Sequence, residues 1–362
     1  MFTTSSSYPA GTPSNNRPSH RPSHHANDAG TAFQNPWLSA EKLTWAELEL
    51  DGAWAGESRC IVGTTLGHAG VITEIPLEGI EDSDGENKSF WIVYDNIFSV
   101  RAGPMQYTGP QRLRSPPCQV TDVPGNKSWI CSLGVSREMV YELDWWQNRE
   151  CSVQDFGFTT SQSASEDTLL RFICVPAQHN SGRSALDQGT TLWCGWVIEQ
   201  LVVSKEEAKP SKIRRKGAIY HAGDTGYRRT ANSSSVCPIF KEIGQKFGPL
   251  DMSFVPIWRG GSLGFFSLVG LRLSYIDIPS ALHVAPADAI NIHKDVLSQN
   301  TVAIHFGTFV GSKIIAFNKG RQDQGVEELD DTLGGERGRA GILDIGGSLA
   351  VEVDVRDVTA AN

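Results

Sequence analysis

Three apolar, strand-like runs of this chain each lead into a histidine or an aspartate, and this pattern constrains the fold more than any other feature. The clearest run is Gly217–Tyr220, which ends in a turn that carries Asp224 between Gly223 and Gly226. Glycines on both sides of a carboxylate let the backbone turn sharply and approach a ligand closely. Taken alone, the turn fits either an ordinary Gly-Asp turn or a metal ligand or general base at a strand end.

Two further segments favour the ligand interpretation. The segment Pro176–Arg183 places His179 just after an apolar run, and the segment Ala303–Phe309 does the same for His305. The three segments together therefore favour a functional role for Asp224, as a metal ligand or a general base, over an ordinary turn.

The 36 glycines and 18 prolines among 362 residues predict many turns, and hence many short strands. Helices are expected over Val236–Phe247, with Ser233–Ser235 available as caps, and over Ala287–Ser298, with Pro286 in its first turn. Because strands dominate and helices separate some of them, the fold class is α/β (α+β), built in layers. Residues 1–30 are rich in Ser, Pro, Asn and His, so they are expected to form a disordered tail before a domain spanning residues 31–357.

Composition also limits the partners and the compartment. A net charge of −9 without a large basic block excludes nucleic acid as an expected partner. No run of 18 apolar residues is present to span a bilayer, and the seven cysteines are odd in number and form no C-x-x-C pair. Reduced thiols in the cytoplasm are the expectation, with membrane association as an addition. A mitochondrial location is the alternative, because arginines alone charge the first 27 residues.

The remaining histidines of the domain are expected to be structural. Thr64–Ile75 is interpreted as one strand, and His68 within it as a hydrogen-bonded core residue. His293 falls on the second predicted helix, and His221 precedes the aspartate turn.

Ten segments, which follow one another in the family's order along the chain, resemble the metallo-β-lactamase superfamily, and specifically its branch of N-acyl-phosphatidylethanolamine-hydrolysing phospholipase D. They span nearly all of the chain after residue 32. The segments are Phe33–Trp37, Thr64–Ile75, Arg101–Cys118, Tyr141–Gln147, Pro176–Arg183, Thr191–Ile198, Tyr220–Tyr227, Phe240–Asp251, Leu282–Val296 and Ala303–Phe309.

The resemblance implies a metallo-β-lactamase-like αββα sandwich with two zinc ions at one edge. It makes His179 a ligand of one ion and His305 a ligand of the other, with Asp224 bridging both. It makes His283 a catalytic and substrate-binding residue near the substrate phosphate. Gln106 and Tyr107 match positions that face the head-group cavity.

The chain departs from the family at its main signature. The family pattern H-x-H-x-D-H is expected between Cys118 and Leu133, yet no His-x-His occurs in residues 26–362. From typical element lengths about 40 residues are missing at the Pro124–Gly125 junction, which depletes one sheet. The remaining ligands leave each zinc ion of the family with one histidine and a shared carboxylate. At most one weak zinc site is therefore expected here.

By descent, the chain is expected to be a zinc-dependent phosphodiesterase that hydrolyses N-acyl-phosphatidylethanolamine to N-acylethanolamine and phosphatidic acid, with impaired activity. The alternatives are an inactive pseudoenzyme that binds lipid or a partner, and the product of a truncated gene model or of mis-splicing. A different metallohydrolase with a single ion would need its ligands to converge within about 4–5 Å of one point. The expected partners are an N-acyl phospholipid, a membrane surface contacted peripherally, and a second copy of the chain in a homodimer.

Overall fold

The computed structural model describes thirteen parts of the chain. They are residues 2–4, 60–81, 87–95, 140–156, 158, 166–180, 193–204, 213–230, 233–257, 283–306, 327–328, 338–353 and 355–357. Gln106, Tyr107, the Pro124–Gly125 junction and the residues of the predicted tail other than Phe2–Thr4 lie outside these ranges.

The smaller sheet is antiparallel and is built from β-branched segments that suit a pleated, half-buried surface. Its strands are β1 (Phe2–Thr4), β2 (Cys60–Gly67), β3 (Gly70–Glu81), β4 (Asn87–Tyr94) and β13 (Ser348–Glu352). Their spatial order is β1-β4-β3-β2-β13.

The larger sheet mixes antiparallel and parallel pairs. Its strands are β5 (Asn148–Ser152), β6 (Glu166–Pro176), β7 (Cys194–Ser204), β8 (Ile213–His221), β9 (Met252–Pro256), β10 (Asn300–Ile304), β11 (Glu327–Glu328), β12 (Arg339–Ile342) and β14 (Arg356–Asp357). The order is β11-β12-β10-β9-β8-β7-β6-β5, and β14 pairs with β8. Strands β8, β9, β10 and β12 are parallel to one another. Because β6 and β8 are both antiparallel to β7, they also run in one direction.

The two sheets enclose an apolar core. Leu170 and Phe172 of β6 face it, as do Phe90 and Ile92 of β4, and all four are at least 93% buried. The intervening residues of β6, such as Ile173, point to the other face of the larger sheet, as the two-residue period of a strand requires. The sheets therefore form a sandwich whose larger member is apolar on both faces.

Helices cover the outer face of the larger sheet. They are α1 (Ile239–Phe247) and α2 (Pro286–Asp295), and a short 3₁₀ helix (Val153–Phe156) follows β5. Phe240 and Ile243 of α1 and Ile290 of α2 are fully buried against this face. The predicted serine cap is wrong, since α1 begins after Pro238 without a side-chain cap. Pro286 opens α2 as predicted. Among the described residues, no helix combines the length and apolarity needed to cross a bilayer.

The predicted single strand Thr64–Ile75 is a hairpin. Strand β2 ends at Gly67, the chain turns at His68 and Ala69, and β3 begins at Gly70. Gly67 has a φ of 94° and His68 a φ of 56°, which are left-handed conformations that break a strand. The hairpin moves His68 from the interior of a strand to the end of the sandwich.

Close contact between the sheets makes Gly63 of β2 sensitive to substitution. A Cβ atom at this position would lie 2.6 Å from Sδ of Met252 and 2.7 Å from Cζ of Phe254. We expect Gly63→Ala to lower the free energy of unfolding by about 1–3 kcal/mol through overpacking. Urea denaturation measures the loss. Met252→Val should make room for the methyl group, so the double variant should lose less than the sum of the two single variants.

Candidate metal centre

The carboxyl ends of β6, β8 and β10 lie at one edge of the larger sheet, because these strands run in the same direction. His179 follows the end of β6 by three residues, Asp224 follows the end of β8 by three, and His305 follows β10 directly. The topology therefore brings the three predicted ligands to the same edge.

A tight turn presents Asp224. Gly223 has a φ of 63°, and its N–H donates to Nδ1 of His221 at 3.2 Å. A Cβ atom on Gly223 would lie 2.9 Å from the carbonyl oxygen of Cys194 on the neighbouring strand. Both the conformation and the closeness of β7 require glycine here. His221 is buried, as predicted for a structural histidine, and holds the turn through its ring.

The loop that carries His179 is joined to this turn by two hydrogen bonds. The backbone N–H of Gln178 donates to Oγ1 of Thr225 at 3.0 Å. The N–H of Gly226 donates back to the carbonyl oxygen of Gln178 at 2.6 Å. The residues next to His179 and Asp224 are thus held together by one backbone–backbone bond and one bond to the Thr225 hydroxyl, which fixes the relative positions of the two loops.

Each oxygen of the Asp224 carboxylate faces a different histidine. Nε2 of His305 lies 2.9 Å from Oδ1, and Nε2 of His179 lies 3.8 Å from Oδ2. The side chain of His305 is 4% exposed and that of Asp224 is 35% exposed. The site is therefore accessible to solvent on the Asp224 side, whereas the His305 side is buried in the protein.

His283 joins this group from the segment before α2. The ligand atoms of Asp224, His283 and His305 all lie within 4.8 Å of one another. The ring centroid of His283 is 5.5 Å from that of His305 and 5.4 Å from that of His179. His179 is not part of the 4.8 Å group. The structure thus places His283, which the resemblance assigns to the substrate phosphate, among the potential ligands, and it places His179 beside Asp224.

The electrostatics favour the metal-binding protonation states of Asp224 and His283, whereas the pKa of His305 shifts in the opposite direction. Burial lowers the pKa of His283 to about 4, although Asp224 opposes the shift, so its imidazole is neutral near pH 7. Burial would raise the pKa of Asp224, but the neighbouring His305, His283 and His179 hold it well below its usual value. Burial acts to lower the pKa of His305, and the Asp224 carboxylate reverses the effect, so the pKa is raised.

The donor set fits a divalent transition metal. Two imidazole nitrogens and a carboxylate oxygen are the ligands that open, catalytic zinc sites use, and imidazole also suits iron, copper and nickel. An ionised carboxylate and a neutral imidazole are the forms that bind such ions. The residues present can therefore hold one metal ion at the end of the sandwich.

His68 was missed as a neighbour of this site. Its ring centroid lies 3.9 Å from that of His305, and its carbonyl oxygen accepts the N–H of His305 at 2.7 Å. Both residues adopt left-handed backbone conformations, with φ values of 56° and 63°. The flanking Gly67 and Gly70 were the available signal, because two glycines in an apolar run indicate a turn as readily as a strand.

Substitution of His68 tests this left-handed conformation. Alanine and glycine both remove the ring contact with His305, but only glycine adopts a φ of 56° without strain. We expect both variants to be less stable than the wild type, and His68→Gly to be more stable than His68→Ala by about 1 kcal/mol. Thermal and urea unfolding measure the order. Equal stabilities would contradict a strained backbone at this position.

The family model of the beta-lactamase superfamily domain matches residues 108–306, which is more than half of the chain's 362 residues and includes the four site residues. The chain belongs to the metallo-β-lactamase superfamily. The predicted fold class is confirmed, and membership implies a metal cofactor at the edge where the Asp and His residues meet.

Two curated relatives of this metallo-β-lactamase member carry phospholipase names. One is N-acyl-phosphatidylethanolamine-hydrolyzing phospholipase D 1 of Caenorhabditis elegans, 25% identical over 289 residues, covering 69% of this chain and 64% of the relative. The other is the mitochondrial N-acyl-phosphatidylethanolamine-hydrolyzing phospholipase D of Saccharomyces cerevisiae, 26% identical over 235 residues, covering 56% of this chain and 41% of the relative. The chain thus spans less than two thirds of the length of either relative.

Among solved structures, the chain is similar to Igni18, a metallo hydrolase from Ignicoccus hospitalis. The identity is 14% and the TM-score is 0.39, over 81% of this chain and 99% of that one.

Proposed function

We propose that this metallo-β-lactamase member is a zinc-dependent phosphodiesterase that hydrolyses N-acyl-phosphatidylethanolamine to N-acylethanolamine and phosphatidic acid. The observation that carries the proposal is the convergence of His283, His305 and Asp224, with ligand atoms within 4.8 Å of one another. The names of the two curated relatives supply the substrate class.

A zinc ion in this site would supply a Lewis acid for the phosphoryl oxygen and a nucleophilic water at neutral pH. The chain's own residues prepare that environment. Asp224 stays ionised and keeps 35% of its side chain exposed, so a phosphodiester can approach the carboxylate side of the site. Buried His305 and the two loops joined through Gln178 hold the carboxylate in place.

A second candidate function is an inactive member that binds lipid or a protein partner. The observation that favours it is the absence of any His-x-His in residues 26–362, since the superfamily signature supplies most of the zinc ligands. The same absence is the reason to expect a lower rate of hydrolysis from this chain than from a member with the full signature.

The proposed surroundings follow from the substrate. An N-acyl phospholipid resides in a bilayer, so the protein would contact a membrane surface peripherally and would reach the cytoplasmic face of that membrane. A mitochondrial location is the alternative, and the name of the yeast relative states that location for that protein. A homodimer is the proposed assembly, and Gln106 and Tyr107 are the proposed head-group contacts.

The test is release of N-acylethanolamine and phosphatidic acid from vesicles that contain N-acyl-phosphatidylethanolamine. The full chain is assayed after zinc reconstitution, with and without a chelator, and the products are measured by mass spectrometry. Product formation that the chelator abolishes is the expected result. Intact substrate after incubation with a folded, zinc-loaded chain, together with binding of the chain to the same vesicles, would favour the inactive lipid-binding member.

A further inference from the structure

The family pattern assigns His179 to the metal and His283 to the substrate phosphate, but the local geometry of this chain differs. His179 is not within the 4.8 Å group that Asp224, His283 and His305 form. Nε2 of His179 does lie 3.8 Å from Oδ2 of Asp224, on the side of the carboxylate away from the oxygen that faces His305.

Metal-ligand distances decide which histidine can complete the site. Zinc bonds of about 2.1 Å place two ligands of a tetrahedral ion about 3.4 Å apart. Ligand atoms separated by at most 4.8 Å reach this spacing after shifts of about 1 Å, which side-chain rotation supplies. A residue outside that group needs a larger shift. His179 is also attached to the Asp224 turn through Gln178, which limits its movement.

The chain also lacks the signature that supplies most of the family's zinc ligands. No His-x-His pair occurs in residues 26–362, so the family's two-ion arrangement loses the imidazoles of that signature. With ligands in short supply, an ion binds most tightly where three donors already converge and a fourth position is left for water or substrate.

We propose that this chain binds a single metal ion through Asp224, His283 and His305, and that His283 has taken the place of a lost ligand. His179 acts from outside the coordination sphere, as an imidazole beside the second oxygen of Asp224 that orients the carboxylate. The proposal rests on the metal requirement of the proposed function, but not on its substrate.

A second feature supports a ligand role for His283. It lies directly before α2, whose buried residues are packed against the larger sheet, so the position of the segment is fixed by the core. A metal ligand must be held in position by its surroundings, and this packing holds the segment that carries His283.

The experiment is a metal titration of the full chain and two single variants, His283→Ala and His179→Ala. Each protein is stripped of metal and titrated with Zn²⁺ against a chromophoric chelator, and separately with Co²⁺ while its visible absorption is recorded. We expect the wild type to bind one equivalent. His283→Ala should weaken binding by more than about 100-fold, whereas His179→Ala should weaken it by only about 10–100-fold, as expected for a residue that only orients a ligand.

His283→Asp guards against a folding defect in the alanine variant. An aspartate restores an oxygen donor, so this variant should again bind one equivalent, with a changed Co²⁺ spectrum. Two equivalents in the wild type, or a larger loss of affinity in His179→Ala than in His283→Ala, would overturn the proposal. So would the absence of any binding by the folded wild type.

The titration also separates this inference from the proposed function. One equivalent that depends on His283, without release of N-acylethanolamine, would leave the metal site standing and remove the phospholipase activity. Release of N-acylethanolamine by a protein whose metal binding depends on His179 and not on His283 would support the proposed function and overturn the proposed ligand set.

Discussion

Replacing Asp224 with asparagine should remove metal binding almost completely while leaving the protein folded. The carboxylate is the one anionic member of the 4.8 Å group, and its two oxygens face His305 and His179 at 2.9 Å and 3.8 Å. Asparagine keeps the shape of the side chain and removes its charge. Since loss of an outer-shell residue alone costs about 10–100-fold in metal affinity, loss of this ligand should cost more than 100-fold. Zn²⁺ titration against a chelator measures it.

Glu352→Gln is the matched control for charge. Glu352 is exposed on β13, and it pairs with Cys60 at the end of β2 opposite to His68. The control should bind metal as the wild type does and unfold at the same temperature. If Asp224→Asn bound zinc with wild-type affinity, the metal would have to lie elsewhere in the chain.

The convergence of Asp224 and His305 was predictable because each follows an apolar strand directly or within a short turn. The fold then places the ends of parallel strands at one edge, so residues that are 81 positions apart meet. His179 reaches the same edge because β6 and β8 are both antiparallel to β7. The apolar runs and the turn glycines thus determined these positions locally.

The environments of His68 and His283 could not be predicted from apolar runs and turn glycines. His68 lies in a run whose apolar residues fit one strand as well as two, and only the left-handed turn at Gly67 and His68 separates the alternatives. The approach of its ring to His305 is a contact between two sheets. His283 belongs to no strand, and its distance from Asp224 depends on how α2 packs on the larger sheet. Local patterns do not encode such long-range packing.

Gly223→Ala should disturb the metal site through the backbone alone. An alanine at a φ of 63° is strained by about 1–2 kcal/mol, and its Cβ would lie 2.9 Å from the carbonyl oxygen of Cys194. The turn must move to relieve this contact, and Asp224 is the next residue. We expect the free energy of unfolding to fall by about 1–3 kcal/mol and the metal affinity of the folded protein to fall by about tenfold or more.

Gly338→Ala is the control that separates strain from site geometry. Gly338 has a φ of 74°, and a Cβ there would lie 2.7 Å from the carbonyl oxygens of Ser298 and Gln299. It lies before β12, beside the start of β10, whereas His305 follows the end of β10. The control should therefore lose comparable stability and keep its metal affinity. If the two variants bound metal with equal affinity, the strain that both substitutions introduce would have the same effect on binding wherever it lies. The turn at Gly223 would then not be what holds Asp224 in its binding position.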